Sequence, residues 1–168
     1  SIEFHGDTIV TAPPGFEPGF QNTIAKHHAA AGYRVIAGGE TRQDSVGNAL
    51  AALDEETEVV VVHDAARPFV DPATTRRSMD LAAEYGAATV ALRCADTILE
   101  EDHEQFLLNT PDRAKLWACQ APQTFRVEII RASYAAATER GRVGTDDATL
   151  VRENGGRVKL VSGTPANF

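Results

Sequence analysis

The sequence predicts an α/β fold around a mostly parallel sheet, with a protruding β-arm. Three observations carry that expectation. Val59–Val62 is four consecutive valines with no alternation, the pattern of a strand covered on both faces. Short β-branched or apolar runs recur at residues 7–12, 33–37, 87–92 and 158–162. Segments with helical spacing and cap signals lie between them on short connections, as a doubly layered sheet requires.

The elements follow in order. Residues 7–12 (DTIVTA) read as a strand that Pro13, Pro14 and Gly15 turn away. Residues 20–31 have weak helical periodicity, and residues 33–37 are a second strand stopped by Gly38 and Gly39. Val46, Ala49, Leu50 and Leu53 give residues 44–53 one buried helical stripe, with an acidic exit over 54–58. The valine run is expected at the centre of the sheet. Residues 71–85 open with Asp71 as N-cap and Pro72 in the first helical position, and end before Gly86. The next buried strand is 87–92. From 96 to 123 the pattern changes to short alternating segments around the acidic turn 100–104 and the apolar pair Leu107 and Leu108. This reads as a hairpin arm with too few partners to stand alone, predicted to pack on a second subunit. Helices are expected at 127–140 and 145–154, with a last strand at 158–162.

Composition bounds the function. At 168 residues, 43% apolar and 24% charged, the chain suits one globular domain and excludes disordered, collagenous and disulfide-scaffold classes. Lys plus Arg number 16 against 24 Asp plus Glu, and the net charge of -8 repels nucleic-acid backbones and anionic membranes. The longest unbroken apolar run, 49–53, is far short of a bilayer span, and no secretory leader is apparent, so a cytoplasmic location is expected. Cys94 and Cys119 lack metal or redox spacing and are expected to be free, buried thiols. The chain starts at Ser1 and its one methionine is Met79, which reads as an incomplete copy of a longer domain spanning 1–168 with its arm at 96–123.

Three constellations could carry chemistry. HDAARPF (63–69) directly follows the valines, where ligands of open α/β sheets collect. Asp64 there is the candidate Mg²⁺ ligand, since one carboxylate beside a polyphosphate suffices for that ion, and Arg67 is a candidate for substrate. The duller alternative has Asp64 capping a turn and pairing with Arg67 while His63 fills a core niche. GGETRQDSV (38–46) joins a strand end to a helix start. Its glycines would admit a ligand close to the backbone, and Ser45 adds a hydroxyl. A turn with an ordinary Asp or Ser N-cap would leave the same pattern. The third set is scattered: Asp96 and Thr97, Asp112 and Arg113, QAPQ at 120–123, and Thr145 with two aspartates. Arg113 offers a planar fork for phosphate, and Thr97 and Thr145 could orient a phosphate or polyol, although Thr145 also reads as a helix cap.

In this order, GGETRQDSV, VVVVHDAARPF, ADT, TPDRAKLW, QAPQTF and TDDATLV resemble the cytidylyltransferases that make 4-diphosphocytidyl-2-C-methyl-D-erythritol in non-mevalonate isoprenoid biosynthesis. Ribitol-5-phosphate cytidylyltransferases share much of the set, and a dimerisation module without catalysis is a further alternative. The resemblance implies a Rossmann-like nucleotidyltransferase fold that works as a homodimer joined through the arms, with CTP and a polyol phosphate as small-molecule substrates and Mg²⁺ as cofactor. It implies that Gly38, Gly39, Glu40 and Ser45 line the cytidine site and that Asp64 binds Mg²⁺ with the triphosphate. It also implies that Arg113 reaches the acceptor phosphate from the neighbouring subunit, with Thr97 and Thr145 beside it, which makes Asp64 and Arg113 the catalytic candidates. The family's first strand, glycine-rich loop and following cations are expected before residue 1, and its lysine after Phe168. Ala121 stands where the family usually has a substrate-binding threonine.

Overall fold

The computed structural model describes residues 7–27 and 32–167. In chain order its elements are β1 (Thr8–Ala12), α1 (Glu17–His27), β2 (Tyr33–Ala37), α2 (Arg42–Ala51), β3 (Val59–Val62), α3 (Pro72–Tyr85) and β4 (Ala87–Arg93). A small hairpin follows, β5 (Glu100–Glu101) and β6 (Leu107–Asn109), then a 3-10 turn (Arg113–Lys115). The chain ends with β7 (Trp117–Arg126), α4 (Val127–Glu139), α5 (Asp147–Glu153) and β8 (Lys159–Ser162). The end of the helix expected at 20–31 lies outside the described residues. Two compact units form, each from two stretches: Ser1–Glu58 with Val127–Asn154, and Val59–Arg126 with Gly155–Phe168.

In the first unit β1 and β2 pair in parallel, from Thr8 opposite Tyr33 to Ala12 opposite Ala37. Helix α2 begins at Arg42, earlier than its apolar stripe suggests, because Thr41 and Asp44 close a reciprocal capping box. Helix α4 buries Val127, Ile130, Ser133, Tyr134 and Ala137 at helical spacing, and α5 buries Asp147, Ala148, Leu150 and Val151.

The second unit holds a four-stranded sheet in the order β3-β7-β4-β8. Strands β3 and β4 both run antiparallel to β7, and β8 runs parallel to β4, so β3, β4 and β8 share one direction. Helix α3 is bounded as its end signals predict: Asp71 accepts from the Ala73 and Thr74 amides, and Gly86 closes the helix at φ 96°. Its small residues let it lie close to the sheet, with Ala82 packed among Ala88, Val90 and Val161 and the Ser78 hydroxyl bonded to Thr124 at 2.8 Å.

Four expectations change. Among the described residues the valine run has one strand neighbour, β7, so it stands at an edge of this sheet, and its side chains are half-buried. The central place goes to Trp117–Arg126, although the sequence pattern assigns 117–123 to the arm. Polar residues and Pro122 disguise β7 as a loop in the sequence. In the sheet, Gln120, Ala121 and Pro122 bulge between the pairs Thr89–Gln123 and Ala91–Cys119, which accommodates a residue without an N–H. The hairpin itself is confined to β5 and β6. Neither cysteine forms a disulfide, but Cys119 is exposed and Cys94 half-buried rather than buried.

Candidate functional site

The turn at 38–45 is built by its own side chains. The Gly38 amide donates to the Ala12 carbonyl at 2.7 Å, tying the turn to the end of β1. The Ser45 hydroxyl donates to the Thr41 carbonyl and accepts from the Gly39 amide, both at 3.0 Å. A β-carbon on Gly39 would fall 2.2 Å from that of Asp44, and one on Gly38 would fall 2.8 Å from the Ser45 oxygen. The chain's own packing therefore requires both glycines, whatever ligand approaches them. Thr41, rather than Asp or Ser, caps the helix. Glu40 sits exposed at the apex.

The first turn of α2 is bonded to the segment that contains Thr145. Gln43 donates from its amide nitrogen to the Arg142 carbonyl at 3.1 Å, and its amide oxygen accepts from the Gly144 N–H at 2.8 Å. Arg42 pairs with Asp147 at 2.9 Å. Asp147 is 1% exposed, and its other oxygen accepts the hydroxyl of buried Tyr134. Burial, followed by the adjacent Asp147, pushes the Tyr134 hydroxyl far above the ordinary phenol range. Thr145 is not the cap of α5. Asp146 takes that place, accepting from the Thr149 amide at 2.6 Å, and leaves Thr145 exposed one residue outside the helix.

In the second unit Asp64 and Arg67 share one turn after β3. The Asp64 carbonyl accepts from the Arg67 amide at 2.9 Å, and the carboxylate lies 3.7 Å from the Arg67 guanidinium. His63 is exposed rather than in a core niche, and its Nε2–H donates to the Arg67 carbonyl at 2.9 Å. Arg67 also donates to the Asn167 carbonyl at 2.8 Å, which accepts from Gln120 at 3.0 Å as well. The Asn167 side chain donates to the Ala121 carbonyl, so the β7 bulge anchors this last turn. Gln120 and Asn167 are both buried, and sequence reading gave neither a role. The Arg67–Asn167 bond spans 100 residues and Gln120 shares its acceptor, an arrangement at which only the QAPQ motif hinted. Ala121 is 1% exposed.

Thr97 is exposed in the loop leaving β4, and Arg113 opens the 3-10 turn with one nitrogen on the Ala95 carbonyl at 2.8 Å. Both therefore belong to the base of the hairpin arm. Trp117 lies under the Arg93 guanidinium, which is 4.5 Å from the ring centre. Among the described residues no group of three His, Cys, Asp or Glu could hold a metal ion. Asp64, with a single half-exposed carboxylate, fits only a cation that arrives already chelated by phosphate oxygens.

Comparison with known proteins agrees with the motifs. Residues 7–168 match the family model for 2-C-methyl-D-erythritol 4-phosphate cytidylyltransferase. The curated protein of that name from Caldanaerobacter subterraneus subsp. tengcongensis is 40% identical over 160 residues, covering 95% of this chain and 70% of the relative. That from Alkaliphilus metalliredigens is 41% identical over 163 residues, covering 96% and 68%. Among solved structures, the cytidylyltransferase from Thermus thermophilus superposes with a TM-score of 0.81 at 33% identity, covering 96% of this chain and 74% of that one. The 4-diphosphocytidyl-2C-methyl-D-erythritol synthase of Anaerococcus prevotii superposes at 0.88 with 26% identity, covering 96% and 71%. By sequence and by fold, the chain belongs to the 2-C-methyl-D-erythritol 4-phosphate cytidylyltransferase family, a family of CTP-dependent nucleotidyltransferases.

Proposed function

We propose that the chain transfers CMP from CTP to 2-C-methyl-D-erythritol 4-phosphate and releases pyrophosphate. The observation that carries this reading is the family match over residues 7–168, which takes in every motif discussed above. In the reaction an oxygen of the acceptor phosphate attacks the α-phosphorus of CTP in line. A new P–O–P bond forms, the bond from the α-phosphorus to the bridging oxygen breaks, and pyrophosphate leaves with its electron pair. Such a reaction depends chiefly on alignment and charge placement.

The residues divide the task. Gly38, Gly39, Glu40 and Ser45 line the cytidine, where exposed Glu40 and backbone groups of the turn can meet the base. Because the Ser45 proton goes to Thr41, that hydroxyl acts first as a latch for the turn. Asp64 would hold Mg²⁺ that arrives with the CTP phosphates, and the ion would supply neutralisation of charge on the triphosphate. Arg67 steadies the turn that carries Asp64 and faces substrate, while Arg113, Thr97 and Thr145 bind the acceptor. The chain works as a homodimer through its arms. Leu99, Phe106, Leu107 and Leu108 of the arm are each at least 63% exposed, a surface that assembly would cover. Two cysteines outside any disulfide and the absence of any helix long and apolar enough to cross a membrane, among the described residues, support a cytoplasmic location.

The test is pyrophosphate release with CTP, Mg²⁺ and either methylerythritol phosphate or ribitol 5-phosphate. Release dependent on methylerythritol phosphate is expected. Release only with ribitol phosphate, or with neither, overturns the assignment.

A further inference from the structure

We propose that Arg42, Gln43 and Asp147 form a positioning clasp that makes the 38–45 turn and the 142–147 segment one mechanical body. Thr145 is thereby held at a set place relative to the turn. That these two segments are the nucleotide side and the acceptor side rests on the function proposed above. The clasp itself rests on geometry within one unit.

Two consecutive side chains at the start of α2 reach the same segment. Gln43 uses both ends of its amide, one on the Arg142 carbonyl and one on the Gly144 N–H, as a neighbouring strand would. Arg42 reaches Asp147, a carboxylate 1% exposed that also accepts the Tyr134 hydroxyl. On the α2 side, the capping box and the Ser45 latch transmit that hold from residue 41 to Gly39. On the other side, a β-carbon on Gly144 would fall 2.7 Å from Leu150, and Asp146 caps α5. Thr145 therefore lies between two fixed residues. An Arg serving only to neutralise a buried carboxylate would not need Gln43 beside it, bonded to backbone rather than to the charge.

The experiment is hydrogen exchange on the ligand-free full chain. In Gln43→Leu, exchange is expected to rise roughly tenfold in both the 38–45 and 142–147 segments, the effect of losing two such bonds. Arg42→Lys, which keeps the charge on Asp147, should stay within roughly threefold of the wild type. Arg34→Ala, which removes a bond to Ala52 at the far end of α2, should leave both segments unchanged. Loosening confined to residues 42–44, or equal loosening in Arg34→Ala, overturns the clasp. In turnover, Gln43→Leu is expected to raise KM for both substrates while kcat is largely kept. Unchanged KM values with a lower kcat also overturn it. A wild-type chain without turnover would refute the proposed function alone, and the exchange data would still decide the clasp.

Discussion

The first turn of α2 and the β5–β6 hairpin are both short and both lie beside residues proposed to meet substrate, yet they are held by opposite means. Around α2, polar side chains are paired over short distances: Thr41 with Asp44, Ser45 with Gly39, Gln43 with two backbone groups, Arg42 with a buried aspartate. The hairpin keeps its shape with a few local bonds, chiefly Asp102 accepting the Glu104 and Phe106 amides and Asn109 donating to Glu100. Its apolar side chains face outward. The turn completes its geometry within its own unit, whereas the hairpin carries exposed apolar surface, which the proposed homodimer would cover.

The sharpest attempt to break this contrast is Asp147→Ala. It strands the buried Tyr134 hydroxyl and takes a buried carboxylate from Arg42, whose side chain is itself 41% exposed, and chemical denaturation should show a loss of about 1–3 kcal/mol, the cost of leaving a buried hydroxyl unsatisfied. A loss under about 1 kcal/mol would place the α2 turn with the hairpin. Gly39→Ala should follow, at about 1–3 kcal/mol, because the added methyl collides with Asp44 and the turn must open. Its KM for CTP should rise with the loss of stability.

Alkaline titration sharpens the same point. The Tyr134 hydroxyl is held above its ordinary value of 10.0, so the fold favours the protonated form. That stabilisation is complete below pH 10.0 and is lost as pH climbs above it, when the unfolded chain ionises and the folded one resists. Thermal melting across that range should fall more steeply in the wild type than in Tyr134→Phe. The smallest effect on stability belongs to the hairpin. Leu107→Lys combined with Leu108→Lys should change the unfolding free energy by no more than about 0.5 kcal/mol, as exposed positions do. In sedimentation the same variant should shift from dimer to monomer. A large stability loss without a mass change would show that these leucines pack within their own chain.

Much of this was written locally. Asp71, Pro72 and Gly86 bound α3 by satisfying or ending backbone hydrogen bonds within one turn, and the stripe of α4 follows from helical periodicity. The placement of HDAARPF just past a strand was legible for the same reason. The bulge at 120–122 was not, because a proline among polar residues reads as a loop until two neighbouring strands supply the pairs around it. The partner of Arg42 lies 105 residues away, and that of Arg67 lies 100 away. No local pattern encodes such pairs. Which carboxylate meets which guanidinium, whether Thr145 caps a helix or stands outside it, and whether Gly39 answers to a ligand or to Asp44 depend on how packing brings distant segments together. Sequence alone determined the family and most of the elements, though not β7, since capping, periodicity and motif order act over a few residues at a time. The tertiary structure decided the partners, since each exists only after the chain has folded back on itself.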